Sequence, residues 1–166
     1  GQIYESLVSG AIDATEWVGP YNDYFMKFYE AAKYYYTGGM HEPGGGLGFG
    51  MNLDFWNNCN DHEKAVITAA CMEENAAQPE EAMANNGTYL QKLVDEHGTQ
   101  LRSYNDDVWD AFGEASAEVF DETRQHSELA ARVNDSYMSA LKDIGGFRAI
   151  AEIEFSQQRN RVLGLT

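Results

Sequence analysis

What most constrains this chain is how its hydrophobic patterning is divided along its length. Period-two and aromatic β-prone stretches crowd the part before Asp54, and helical spacing takes over almost everywhere after it. A helix-like run, Ile3 to Val8, stops at Gly10, a residue suited to the left-handed end of a helix. Residues 11–15 then read as a strand, and Val18-Gly-Pro-Tyr-Asn-Asp23 as the turn after it. Tyr24 to Lys33 follows helical spacing, with Phe25, Phe28, Tyr29 and Ala32 on one face. Lys33 to Thr37 and Leu47 to Leu53 read as two more strands around a glycine-rich loop.

From Asp54 the sequence predicts four or five helices. Asp61 serves as an N-cap of the first, and Pro79 interrupts it or opens a new turn. Residues 80–97 continue as helix to a stop at Gly98, and Thr99 to Tyr104 forms a short strand. Asp106 or Asp107 caps a helix with the stripe Val108, Phe112, Ala115 and Val119. Another helix starts at Ser127 and carries Leu129, Val133, Tyr137 and Leu141 at steps of four. Gly145-Gly146 breaks it before a last helix that ends near Val162, with Arg159 and Arg161 at its negative end. Three or so strands cannot complete a doubly wound sheet. Either the chain is a small α+β domain, or the remaining strands are supplied by residues upstream of Gly1.

Charge removes several classes of partner. The 166 residues carry 27 Asp and Glu against 11 Lys and Arg, a net charge of −16. Nucleic acid and anionic membrane surfaces need basic patches and are poor partners for such a chain. No apolar run is long enough to span a membrane, and no leader-like segment opens the chain. Cys59 and Cys71 lie twelve residues apart, about 18 Å along a helix, so they read as free thiols.

The chemistry-bearing residues gather early. Glu16 and Trp17, just past a strand end and before the Gly-Pro turn, can offer oxygen ligands to a hard cation while the indole walls an apolar pocket. His41 with Glu42, in Gly39-Met-His-Glu-Pro43, lies on a loop placed to border the same crevice. Asp13, inside the predicted strand, is a carboxylate that needs hydrogen-bond partners if buried. His62-Glu63 lacks the second histidine of a zinc helix, position 66 being Val, and the glycines from 44 to 50 lack the Lys-Ser/Thr of a phosphate loop. Ser6, Ser9 and Ser103 have no nucleophile-elbow context. Residues 1–63 contain only Lys27 and Lys33 as cations against nine carboxylates. An anionic ligand there must be neutralised by a bound metal ion or by an arginine from outside the chain.

The motif Gly10-Ala-Ile-Asp-Ala-Thr-Glu-Trp-Val-Gly-Pro-Tyr-Asn-Asp23, with Ala31-Ala-Lys-Tyr-Tyr-Tyr36, Gly39-Met-His-Glu-Pro-Gly44 and Asn52-Leu-Asp-Phe-Trp56, resembles the solute-binding proteins of TRAP transporters, the tripartite ATP-independent periplasmic systems. It is most similar to the branch that binds 2-oxo acids such as pyruvate and related 2-hydroxy acids. The resemblance implies an α/β fold, the C-terminal portion of a two-lobed periplasmic binding protein, predominantly helical with a few strands. It implies residues 1–53 as ligand-lobe and hinge segments and 54–166 as a helical C-terminal region, in which the helix 147–162 pairs subunits into a homodimer. It further implies a sodium or calcium ion held by the Glu16 side chain and the Trp17 main-chain carbonyl, with Trp17, Tyr21, Asn22 and His41 toward a small monocarboxylate. The family's arginine clamp for the carboxylate and a glutamine near the metal lie upstream of the matched region. The expected function is periplasmic capture without catalysis and delivery to membrane permease subunits. Two rivals remain at this point: a metal-assisted enzyme using Glu16 or Asp13 on the same acids, and a helical dimerisation module.

Overall fold

The computed structural model describes residues 2–39, 42 and 44–165. They divide into two compact units, Gly1–Asn105 and Asp106–Thr166.

The first unit opens with α1 (Ile3–Ser9), closed by Gly10 at φ 72°, where the Gly10 and Ala11 N–H groups donate back to the Leu7 and Ser6 carbonyls. Residues 11–19 hold no strand and are largely exposed, contrary to the expectation for 11–15. An extended segment becomes a strand only by pairing, and the one ladder among the described residues lies elsewhere. Asp13 is accordingly exposed rather than buried. The predicted turn at 18–23 is in part helix: α2 (Pro20–Phe25) begins with proline in its first turn, where the fixed φ suits the helix and the missing N–H costs nothing. The helix expected over Tyr24–Lys33 ends early, because Lys27 turns left-handed at φ 57° and a 3-10 turn, Phe28–Glu30, follows.

Strand β1 (Tyr34–Tyr36) pairs in parallel with β2 (Gln100–Arg102), Tyr35 opposite Leu101. Parallel neighbours need a long crossover. Here it contains α3 (Leu53–Asn58) and α4 (Asp61–Asp95). The strand expected over Leu47–Leu53 does not form. Asn52 instead caps α3, its side chain accepting the Phe55 N–H at 3.0 Å. Helix α4 is 35 residues long, about 50 Å. Its cap is Asn60, not Asp61, in a reciprocal box with Glu63. Pro79 does not interrupt it. The proline deprives only the Asn75 carbonyl of its helical donor, and that turn is exposed, so water can replace the lost bond. Leu7, Phe28 and Leu93 are the buried apolar residues of this unit, beside an aromatic seam of Tyr21, Tyr24, Phe25 and Tyr89 between α2 and α4.

The second unit is a helical hairpin with a long second arm. Helix α5 (Asp106–His126) packs on α6 (Glu128–Arg148), which Ser127 caps by accepting the Ala130 N–H at 3.1 Å. Gly145-Gly146 does not break the helix. The backbone stays helical through both glycines into a π-helical turn, Ala149–Ile153, and on into α7 (Glu154–Leu163). Glycine in a helix interior costs only about 1 kcal/mol relative to alanine, which the flanking turns offset.

Candidate functional site

The predicted site residues fall on the loop before α2 and on α2 itself. Glu16 is exposed, and its carboxylate has no hydrogen-bond or ion-pair partner among the described residues. Trp17 is 44% exposed, and its carbonyl likewise accepts no described hydrogen bond. Tyr21 and Asn22 are half-buried. His41 lies outside the described residues.

Tyr21 is the most constrained of the set. Its main-chain N–H donates to Asn86 Oδ1 at 3.0 Å and its hydroxyl to Glu81 Oε1 at 2.8 Å, both on α4. The bond to the Glu81 carboxylate, helped by desolvation, raises the phenol above its ordinary pKa. Its ring meets Phe25 edge-on at 5.5 Å and Tyr89 at 5.0 Å. The Tyr21 side chain therefore serves to dock α2 on α4. Lys92 Nζ lies 4.5 Å from the Tyr89 ring centroid, and Tyr29 stacks on His97 at 3.8 Å farther along the same seam.

A carboxylate not singled out in the sequence holds the loop. Asp23 is only 8% exposed; its Oδ1 accepts the Val18 and Gly19 N–H groups, both at 3.3 Å, and its Oδ2 accepts the Tyr35 hydroxyl at 2.6 Å. Burial, then the hydrogen bond to Asp23, drive the Tyr35 hydroxyl far above its usual pKa. The loop is also pinched against α4: a Cβ built on Gly19 would stand 3.4 Å from Asn86 Oδ1. An acidic residue three places after Pro20, in the first turn of a helix, was the available signal for Asp23. Nothing in the local sequence points to Asn86, 65 residues from Tyr21.

Two of these groups are of the oxygen-donor type that hard cations take. The Glu16 carboxylate and Trp17 carbonyl have no protein partner among the described residues. Among the described residues no three His, Cys, Asp or Glu side chains converge as a metal-binding group, so further ligands must come from main chain, solute or elsewhere. Cys59 and Cys71 are free thiols. No helix among the described residues is long and apolar enough to cross a membrane.

The parallel β-helix-β unit formed by β1, α3, α4 and β2, within a predominantly helical chain, is of the α/β kind. The chain belongs to the bacterial extracellular solute-binding protein family 7, whose model matches residues 1–126. That is a family of binding proteins, not enzymes. The chain is 32% identical over 155 residues to a monocarboxylate 2-oxoacid-binding periplasmic protein of Nostoc sp., covering 93% of this chain and 42% of the relative. It thus spans less than half the length of that relative. No solved structure gives a significant match.

Proposed function

We propose that this chain forms part of the periplasmic solute-binding component of a TRAP-type transporter, capturing small 2-oxo or 2-hydroxy monocarboxylates such as pyruvate or lactate and delivering them to membrane permease subunits. The observation that carries the reading is the pairing of two unpartnered oxygen donors, at Glu16 and Trp17, with a name for the Nostoc relative that specifies 2-oxoacid binding. A sodium or calcium ion held by Glu16 and the Trp17 carbonyl supplies the positive charge that residues 1–63, with two lysines against nine carboxylates, lack. The half-exposed Trp17 indole shields the bound carboxylate from water, and Asn22 and His41 are the further solute contacts in this reading. Isothermal titration calorimetry with pyruvate tests this: Glu16→Gln weakens binding by about tenfold or more, about 1.4 kcal/mol or greater. Unchanged affinity in that variant rules out the cation role.

The second unit supports a homodimer. Leu129, Val133, Tyr137 and Leu141 lie on one stripe of α6 and are each about half exposed or more, and Phe147, Ile150, Phe155 and Val162 continue apolar exposure along the same arm. Light scattering that returns only monomer at micromolar concentration would count against it.

A further inference from the structure

We infer that Asp23, steadied by Tyr35, is a positioning residue that aims the Trp17 carbonyl outward and makes it a better cation ligand. The inference rests on the cation reading of Glu16 and Trp17, and it concerns groups that touch neither ion nor solute.

The geometry follows from one shared peptide group. The amide that carries the Trp17 carbonyl oxygen also carries the Val18 N–H, and that N–H donates to Asp23 Oδ1 at 3.3 Å. No described peptide bond is cis, and in a planar trans peptide the C=O and N–H vectors point in opposite directions. Asp23 is buried, so holding the N–H inward turns the Trp17 oxygen away from the protein interior, and among the described residues that oxygen has no donor. Asp23 Oδ1 also accepts the Gly19 N–H, fixing the next peptide, so the loop cannot swing about a single bond.

The charge of Asp23 matters as much as its place. An amide whose N–H donates to a carboxylate is polarised, and electron density shifts onto its oxygen. That oxygen then binds a hard cation more tightly than an ordinary carbonyl. The Asp23 carboxylate is itself fixed from the other side by the 2.6 Å bond from Tyr35, a residue of the parallel pair β1–β2. The chain of contacts runs from sheet to phenol to carboxylate to peptide to the ligand oxygen. Asn86 closes the far end by holding the Tyr21 N–H and abutting Gly19.

Two variants separate this role from simple support. Tyr35→Phe removes one oxygen, and Asp23→Asn keeps the shape and removes the charge. Both are expected to speed amide hydrogen exchange at Val18 and Gly19 by about tenfold in protein without cation or solute, while exchange in α4 stays as in the parent. Calcium titration, followed by Trp fluorescence, is expected to show weaker cation binding by about tenfold in Asp23→Asn and less in Tyr35→Phe. Pyruvate affinity at saturating calcium should change little. Loss of pyruvate affinity equally at all calcium concentrations, or unchanged cation affinity in Asp23→Asn, would overturn the inference. Glu16→Gln serves as the control. If it too leaves calcium binding unchanged, the cation reading itself fails; if it weakens binding while Asp23→Asn does not, only the positioning role fails.

Discussion

Asn86 Oδ1 accepts the Tyr21 N–H at 3.0 Å, so a side chain from the middle of α4 satisfies one of the free amides at the start of α2. The contact is a helix cap supplied from 65 residues away in sequence, and it ties the start of α2 to the 35-residue α4. Removing it leaves a half-buried N–H without a partner. Asn86→Ala is expected to lower stability by about 1 to 2 kcal/mol. Asn86→Asp, which keeps an acceptor, should recover most of the loss. Urea unfolding followed by far-UV circular dichroism measures both.

The Tyr35 hydroxyl makes the fold sensitive to alkali. Its pKa is raised in the folded protein by burial and by the Asp23 bond, whereas in the unfolded chain it ionises near pH 10. The unfolded state therefore loses its proton first as pH rises. The contribution to stability is complete below about pH 10 and falls away above it. Thermal unfolding between about pH 9 and about pH 11 should show a decline in Tm that Tyr35→Phe makes shallower. Equal slopes in the two proteins would remove Tyr35 from the explanation.

The opposite sign holds for Asp135. Its bond to Arg124, 2.8 Å from Nε to Oδ1, holds the carboxyl below its ordinary range. Its contribution is present above the unfolded carboxylate pKa and is lost as pH falls through the lower folded value. Both side chains are more than half exposed, so solvent screens the pair. Asp135→Asn should leave the Tm at neutral pH nearly unchanged, and a marked drop would show that this exposed pair couples α5 to α6 more strongly than solvent screening allows.

How far the fold was legible depended on where each element finds its partners. The strand at Tyr34–Tyr36 and the cap at Ser127 follow from local chemistry, an aromatic β-prone run and a hydroxyl one residue before the helix. Residues 11–15 and 47–53 have strand-like sequence but no pairing neighbour among the described residues, and pairing is not a local property. Pro79 and Gly145-Gly146 are strong breakers in isolation; at Pro79 water takes the one orphaned carbonyl on an exposed turn, and at the glycines, which keep their N–H donors, the continuing ladder overrides the propensity. The site divides in the same way. Glu16 and Trp17 stand out because acid, indole and Gly-Pro turn are contiguous. Asp23 hides among many carboxylates, and its importance comes from Tyr35, which only the fold brings to it.

The two glycines of α6 give the last prediction. A Cβ built on Gly145 or Gly146 meets nothing within 4 Å, and neither residue has a positive φ. Alanine therefore fits both positions without strain and removes conformational freedom from the unfolded chain. Gly145→Ala and Gly146→Ala should each stabilise the second unit by about 0.5 to 1 kcal/mol. The gain should appear as a higher denaturation midpoint with the urea m-value unchanged. Destabilisation by either alanine would mean that a close approach to these glycines forms in solution, and the nearest source is the second copy proposed for this arm. Repeating the measurement over a range of protein concentrations decides between them: a penalty that grows with concentration belongs to the dimer, and one that does not belongs to the helix itself.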